Sequence, residues 1–342
     1  MTASETIQKV LNAKVPRDIF PPETDGIRKA YHEYAKLIHP DICKEPNAQD
    51  AFLQLKEFYE YALQCPSTDM SKPFYGQKML IRKALDVSAF ELGARYVTDN
   101  KVFWIFDAGK EKFRDNCKHI VEGMHLRLQS IGNIRLLDYY LPLVPDIRDT
   151  FTTRETGRLG IVVAKKPGEY PMDLFLKAYR DRLGGRDIAW IISRMIDLCC
   201  FLRWGGYPVV LNGFTEKNLF ICPEKHSIHI YGGWWYATLL GERMIGTSRE
   251  VYSLMSAQTK ADMLATPLTD MECVRAISRR ITEGKTDIPE PILKWIGKVS
   301  RENPIAEKYD WEKVLTDSYG QRKFIEFKAD PNDIYTQKRG GN

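Results

Sequence analysis

Three consecutive residues, His39, Pro40 and Asp41, join an imidazole, a rigid backbone turn and a carboxylate. Proline cannot continue an α-helix, so Pro40 predicts a loop at this point. Histidine and aspartate are not needed to pack two helices together, and in a loop they can bind a partner through hydrogen bonds and charge. The tripeptide therefore predicts a recognition loop and contributes no catalytic residue.

Amphipathic helices are predicted on both sides of this loop. Before it, a capping residue at Thr24 or Asp25 precedes a helix with apolar residues every three or four positions. The apolar stripe of this helix consists of Ile27, Tyr31, Tyr34 and Ile38. The other face carries Arg28, Lys29, His32 and Lys36. Residues 47–64 repeat the helical pattern, so two antiparallel helices bracket the tripeptide.

This arrangement resembles the J-domain family, and the resemblance covers Ile7 to about Leu63. The segment IRKAYHEYAKLIHPD carries the strongest part of it. The resemblance implies that the tripeptide contacts a DnaK-type heat-shock ATPase and stimulates it. It also implies that Arg28, Lys29 and Lys36 meet an acidic surface of that chaperone. The helix directly before the tripeptide is less basic than is typical of the family, which implies a weaker or more selective contact.

A second group of candidate residues lies further along the chain. The order of elements after Phe74 resembles the protein-kinase fold: a strand hairpin, a helix, more strands, a crossing segment at Lys165 to Tyr170 and a mostly helical lobe. The best local match is the stretch from Pro208 to Thr238. In the kinase family this stretch would contain the catalytic loop, two short strands and the metal-binding turn.

Residue by residue, this match lacks the groups that kinase chemistry requires. Asn218 falls on the catalytic-loop asparagine, but Gly213 stands in place of the aspartate that accepts the substrate proton, and Tyr231 in place of the magnesium-binding aspartate. The strand KVFWIF has no phosphate-gripping lysine, although Glu122 could be the helix carboxylate that pairs with it. Phosphoryl transfer depends on positioning and on cations that neutralise charge. The resemblance therefore implies a pseudokinase that binds an unknown client, without a cofactor or metal.

Two other interpretations stay open. An atypical kinase or nucleotidyl transferase could take its metal ligands from elsewhere, for example from Asp107 or Glu224. In a purely structural module, His39 would be buried against the second domain. A further group of possible metal ligands lacks a fourth member at suitable spacing and predicts no metal site: Cys222, His226 and His229.

Repeating patterns along the second part of the chain predict the elements that would position these residues. They indicate a strand hairpin around residues 99–101, a helix over 111–130, strands near YYLPLV and GRLGIVVAKK, a buried helix over 186–204, and helices up to about residue 300. The fold class is α+β. The predicted boundaries are a J-domain-like hairpin at 1–66, a linker at 67–75, a kinase-like N-lobe at 76–166, a helical C-lobe at 167–330 and a tail at 331–342.

Composition limits the class of protein. A chain of 342 residues, 44% apolar and 28% charged, is expected to form two or more soluble domains. A net charge of +5 is too small and dispersed to favour nucleic acid or an anionic membrane as partner. Seven cysteines without a CxxC pair favour a reducing compartment. No apolar run long enough for a membrane span is evident, so a cytoplasmic protein is expected.

Overall fold

The computed structural model has mixed helix and antiparallel sheet, which agrees with the predicted α+β class. It describes residues 2–13, 15–64, 74–75, 84–153, 156–204, 207–321 and 326–335. No helix within these ranges is both long and apolar enough to cross a bilayer.

Three helices form the N-terminal part of the molecule: α1 (Ala3–Asn12), α2 (Thr24–Ile38) and α3 (Ala48–Gln64). Thr2 caps α1, because its side chain accepts a hydrogen bond from the Glu5 amide while Glu5 accepts one from the Thr2 amide. The three helices enclose their own hydrophobic core, which includes Ile7, Val10, Phe20, Ile27, Ile38, Ala51, Leu55 and Phe58. The predicted antiparallel hairpin is confirmed.

A six-stranded sheet begins the second part. Its strands are β1 (Phe74–Tyr75), β2 (Asp86–Phe90), β3 (Gly93–Val97), β4 (Lys101–Phe106), β5 (Ile147–Thr153) and β6 (Leu159–Ala164). Their spatial order is β1-β5-β6-β4-β3-β2, and all pairs are antiparallel except β1 with β5. The long helix α4 (Glu111–Gln129) connects β4 to β5 and packs on β6 and on the turn after residue 230. The predicted hairpin around residues 99–101 is the β3–β4 pair.

The strand predicted near YYLPLV is wrong. This region forms helix α5 (Ile134–Tyr140) and a 3₁₀ turn (Leu141–Leu143). Asn133 caps the helix through a hydrogen bond from the Leu136 amide, and the Tyr140 ring stacks on Trp204. This cap and tertiary stacking outweigh the β-preference of the aromatic residues.

The remaining part is mostly helical. Its helices are α6 (Met172–Tyr179), α7 (Gly185–Leu202), α8 (Arg249–Leu254), α9 (Ala257–Asp262), α10 (Pro267–Thr282), α11 (Glu290–Gly297), α12 (Pro304–Tyr319) and α13 (Pro331–Tyr335). Its short strands are β7 (Tyr170–Pro171), β8 (Val209–Val210), β9 (Leu219–Cys222), β10 (Ser227–Ile230) and β11 (Thr238–Leu239). Helix α7 is buried along most of its length, as predicted. Helical structure continues past residue 300, where the sequence pattern predicted its end.

Both predicted connecting segments contain ordered structure at one end. Phe74 and Tyr75, the last residues of the predicted linker, pair with Thr152 and Thr153 in the sheet. The predicted tail begins with α13, whose Ile334 is buried. Residues 65–73 and 336–342, which contain the rest of both segments, lie outside the described residues.

Candidate functional site

The loop after α2 presents the tripeptide at the end of the helical hairpin. His39 is the C-terminal cap of α2 and has an extended backbone conformation. Its carbonyl oxygen accepts hydrogen bonds from the amides of Ile42 (3.0 Å) and Cys43 (2.8 Å). The loop is therefore closed by its own backbone, and Pro40 lies where α2 ends, as the sequence predicts.

The imidazole of His39 is held on one side and open on the other. Its Nδ1 accepts a hydrogen bond from the Asp41 amide at 3.3 Å and lies 3.6 Å from the Asp41 carboxylate. The ring packs edge-to-face on Phe52 of α3, with 4.8 Å between centroids. Because Nδ1 is an acceptor, a neutral ring carries its proton on Nε2. The His39 side chain is 39% exposed, and its described ring contact is within the hairpin, so burial against the second domain is not found.

The outer face of α2 carries the predicted basic residues, and all three are exposed: Arg28, Lys29 and Lys36. Arg28 and Lys36 lie two helical turns apart, on the same side as His32. None of the three forms an ion pair with a carboxylate within the described ranges. The inner face of α2 packs through Tyr31, which stacks on Tyr59 of α3 at 4.0 Å.

Gln54 positions α1 against α3, and sequence reasoning missed it. Its buried side-chain amide donates hydrogen bonds to the carbonyl oxygens of Val10 (2.8 Å) and Ala13 (3.3 Å). Both carbonyls lie at the C-terminal end of α1, and that of Val10 also accepts a hydrogen bond from the Ala13 amide at 3.3 Å. The sequence signal that could have identified Gln54 is a polar residue within the amphipathic pattern of α3.

The second candidate site is the loop that contains Gly213 and Asn218, together with the turn at Tyr231. The structure brings these three predicted positions together. The Asn218 side-chain amide donates to the Gly213 carbonyl at 2.7 Å, and the Asn218 carbonyl accepts from the amides of Tyr231 and Gly232, each at 3.1 Å. Asn218 therefore binds the backbone of its own loop.

The space beside this loop is closely packed at Gly213, where the proton-accepting aspartate is missing, and at Gly232, next to Tyr231. A Cβ atom at Gly213 would lie 3.0 Å from both the Cα and the carbonyl oxygen of Gly233. One at Gly232 would lie 2.5 Å from the Asn218 side chain and from the Trp104 ring. A larger side chain at either position would require these backbone or packed aromatic atoms to move.

Aromatic side chains fill the cleft between the sheet and this loop. The indole of Trp104 on β4 donates a hydrogen bond to the Tyr231 carbonyl at 2.9 Å. The Trp235 ring lies 4.7 to 5.7 Å from the rings of Phe90, Trp104 and Phe106. All four residues are buried. Trp104 is thus a site residue that the kinase resemblance did not identify.

The Tyr231 side chain points away from the loop. Its hydroxyl donates to the Glu169 carboxylate, which also lies 2.9 Å from Nδ1 of His229. Burial and the adjacent Glu169 charge raise the pKa of the Tyr231 phenol well above its usual value. Tyr231 is therefore a neutral hydrogen-bond donor, which is not the ligand type that magnesium prefers.

Glu122 does not face the cleft. It lies exposed on the outer side of α4 and pairs with Lys118 at 3.7 Å. Asn116 of α4 does reach the turn after β10, where its side chain donates to the Ala237 carbonyl at 2.9 Å. The predicted role of Glu122 as a cleft carboxylate is therefore corrected, because its helical position is on the solvent face.

The alternative metal ligands do not converge in the described residues. Asp107 pairs with Arg158 at 2.7 Å, and Glu224 is exposed in the turn before β10. Within the described ranges, no three histidine, cysteine, aspartate or glutamate side chains are grouped as a metal site would require.

Asp270 on α10 holds the residues just before Gly213 through backbone hydrogen bonds. Its buried carboxylate accepts hydrogen bonds from the amides of Leu211 (2.8 Å) and Asn212 (3.0 Å). Burial raises its pKa to about 7, although both hydrogen bonds act in the opposite direction. Sequence reasoning missed Asp270 because it is separated from the loop by about sixty residues.

Comparison with known proteins bears on the N-terminal part alone. No protein-family model matches the chain. A Curved DNA-binding protein of Coxiella burnetii is 50% identical over 36 residues, which are 10% of this chain and 12% of that protein. The Chaperone protein DnaJ of Bacillus cereus is 43% identical over 54 residues, 16% of this chain and 14% of the relative. The corresponding protein of Streptococcus pneumoniae is 42% identical over 53 residues, 16% and 13%.

These matches support a J-domain at the N-terminus. The chain spans only 12 to 14% of the length of these relatives. The similarity is thus to one short module and does not bear on a kinase-like domain.

Proposed function

We propose that this protein is a co-chaperone and adaptor. Its J-domain stimulates a DnaK-type chaperone ATPase through His39, Pro40 and Asp41, and its second part recruits a protein client. In this proposal residues 1–66 form the J-domain, 67–75 the linker, 76–166 and 167–330 the two lobes of a kinase-like body, and 331–342 the tail.

The proposed chaperone contact rests on one observation: the exposed tripeptide lies beside a basic surface whose residues form no ion pair with a described carboxylate. Asp41 is exposed. The hydrogen bond of the His39 ring to the Asp41 amide uses Nδ1, which leaves Nε2 available to a partner. Arg28, Lys29 and Lys36 form no ion pair with a carboxylate of the described residues, and an acidic partner surface would be attracted to them. The short matches to DnaJ proteins support the same assignment.

The proposed binding role of the second part of the chain rests on the order of its strands and on the filled cleft. Strands β2 to β4 form a meander, α4 follows, and β5 and β6 complete the sheet before the chain enters the helical part. This order supports a kinase-like body. The aromatic side chains around Trp235 and the close packing at Gly213 support a role in binding, because phosphoryl transfer needs space for a nucleotide and metal.

An atypical kinase or nucleotidyl transferase is the alternative function, and thermal unfolding of the full chain with ATP and magnesium separates the two. A ligand that binds the folded state stabilises it in proportion to the logarithm of its concentration over Kd. We expect no shift of Tm at millimolar Mg-ATP. A clear shift that requires both ATP and magnesium, followed by labelling from γ-phosphate-labelled ATP, would establish the alternative.

A charge-matched pair of variants tests the chaperone contact. Arg28→Glu reverses a charge on the basic face of α2, and Lys56→Glu makes the same change at an exposed position of α3. Loss of roughly 1 kcal/mol of attraction should raise the half-saturating concentration for ATPase stimulation about fivefold for Arg28→Glu. Lys56→Glu should behave as the wild type. Equal effects of both changes would show that net charge, and not this face, determines the contact.

A further inference from the structure

Residues 326–335, which end in α13, pack on α6 and are called the C-terminal strap below. Of these ten residues Ile334 alone is buried; Phe327, Ala329 and Tyr335 are half-buried, and the others are exposed. The Phe327 ring lies 5.8 Å from the ring of Phe175 and 5.6 Å from that of Tyr179. The apolar attachment of the strap therefore consists of an aromatic contact at its start and one aliphatic side chain near its end.

The polar attachment of the strap centres on the hydroxyl of Tyr179, at the end of α6. This hydroxyl accepts a hydrogen bond from the Asp330 amide and donates one to the Asp333 carboxylate, each at 2.8 Å. Arg182 pairs with the same carboxylate at 3.1 Å, and both side chains of this pair are exposed. Exposed ion pairs contribute little to stability, because water and salt screen them. These contacts fix where the strap lies and hold it weakly.

Two cavities, of about 260 and 150 Å³, lie against the strap. Leu85 and Tyr335 border both of them. Well-packed contacts leave few spaces larger than a water molecule, so the strap fills its seat incompletely. The surface that seats the strap and borders these cavities is called the strap groove below, and it consists of Leu85, Lys165, Tyr170, Lys177 and Tyr179.

The strap groove carries positive charge that the described residues do not neutralise. Lys165 is 6% exposed, and its ammonium donates to two backbone carbonyls, at 3.0 and 3.3 Å, without an ion pair to a described carboxylate. Lys177 is exposed and likewise has no acidic partner in the described ranges. Asp99 borders the larger cavity as the opposing charge, whereas Asp86 beside the smaller one pairs with Arg95. Buried lysines are normally paired, so the groove favours a ligand with negative charge.

We propose that the strap groove is a binding site for a peptide segment of a partner protein, and that the C-terminal strap occupies it in the isolated chain. The strap indicates the chemistry of that segment: an aromatic residue, followed by an acidic residue directly before a branched apolar and an aromatic one, as in Phe327 and Asp333-Ile334-Tyr335. A partner segment of this kind displaces the strap. The proposal rests on the proposed function only in giving the second part of the chain a binding role, and it does not involve residues 39–41.

Fluorescence anisotropy with a fluorescein-labelled peptide of residues 326–335, EFKADPNDIY, tests the proposal on the full chain. The variant Asp333→Lys/Ile334→Ser removes the ion pair and the buried side chain of the strap, and is called the released variant. It should bind the peptide at least tenfold more tightly than the wild type, because the strap of the wild type competes at a high effective concentration.

Two controls match the released variant. Asp317→Lys/Ile305→Ser makes the same kinds of change at exposed positions of α12 and should bind the peptide as weakly as the wild type. A peptide with the Asp333→Lys/Ile334→Ser changes should not bind the released variant.

Tyr179→Phe, added to the released variant, tests where the peptide binds. The substitution removes only the hydroxyl that contacts the Asp330 amide and the Asp333 carboxylate, and it should weaken peptide binding about fivefold. Tryptophan fluorescence should be unchanged, because the phenylalanine ring retains the packing of the tyrosine.

Several outcomes would overturn the proposal. These are no binding of the peptide by the released variant, equal binding by the released variant, wild type and control, and binding that Tyr179→Phe does not weaken. Loss of the folded tryptophan fluorescence in the released variant would also overturn it, since the strap would then be an essential part of the fold.

ATPase stimulation of a DnaK-type chaperone separates this proposal from the proposed function. Stimulation should be equal in the wild type, the released variant and the control. Failure of peptide binding with normal stimulation would refute the strap groove alone. Normal peptide binding by the released variant, without stimulation by the wild type, would refute the co-chaperone function alone.

Discussion

Replacing Gly213 by alanine tests whether the space beside the loop of Gly213 and Asn218 is closed by packing. The new Cβ atom would lie 3.0 Å from two backbone atoms of Gly233 and 3.3 Å from the Tyr236 ring. Backbone atoms cannot move away as a flexible side chain can. Overpacking of this kind costs about 1–3 kcal/mol, so we expect the free energy of unfolding to fall by about 2 kcal/mol.

Gly297→Ala is the matched control. Gly297 ends α11, has no neighbouring atom within 4 Å of an added Cβ, and, like Gly213, does not have a positive φ. This change should leave stability unaltered or raise it by up to about 1 kcal/mol, because alanine is more favourable than glycine in a helix.

Denaturant unfolding followed by tryptophan fluorescence measures the difference. All seven tryptophans lie after residue 100, so the signal reports the second part of the chain and not the helical hairpin. Equal stability of Gly213→Ala and Gly297→Ala would refute the close packing. Gly213→Asp should be still less stable, since it buries a carboxylate without a partner. A Gly213→Asp variant that gains magnesium-dependent ATP binding would refute the account of the cleft.

Three further changes follow from the same geometry. The raised pKa of Asp270 means that its protonated form stabilises the fold, so this contribution is complete below about pH 4 and is lost as pH rises through about 7. Asp270→Asn should flatten the pH dependence of unfolding over that window. Trp104→Ala should cost about 3–5 kcal/mol through lost packing and the lost bond to the Tyr231 carbonyl, as measured by denaturant unfolding. Gln54→Met should remove the hydrogen bonds to the buried Val10 carbonyl and the half-buried Ala13 carbonyl, cost about 1–3 kcal/mol, and speed hydrogen exchange of α1 amides at least about fivefold.

Much of the hairpin could be predicted from the sequence because its signals are local. The stripe from Ile27 to Ile38, the stop at Pro40 and the pattern of α3 each depend on residues within one or two helical turns. Their positions agree with the structure to within a residue or two. Gln54 is the exception, since its partner Val10 is more than forty residues away.

The cleft could be predicted only in part. The sequence placed Gly213, Asn218 and Tyr231 in one region, but the groups that close it come from distant elements. Trp104 reaches Tyr231 from β4, across more than 120 residues. Such contacts depend on how the sheet and helices pack, which short-range patterns do not encode.

Buried charged residues are a second feature that the sequence patterns did not predict. Arg95 on β3 is buried and pairs with Asp86 (3.4 Å) and with Asp173 of α6 (3.1 Å), so it joins the sheet to the helical part. Arginine is mostly exposed in proteins, and nothing near it in sequence indicates burial. Strand β2, which contains Asp86, was likewise missed.

Single-turnover ATP hydrolysis by a purified DnaK-type chaperone tests the central claim most directly. The wild-type protein should accelerate hydrolysis, and His39→Gln should not, since the substitution removes the imidazole at the open end of α2 while retaining a polar side chain. Because His39 is partly exposed and lies outside the buried core, the variant should keep its helical circular dichroism. Equal acceleration by the wild type and His39→Gln, or none by either, would contradict the account.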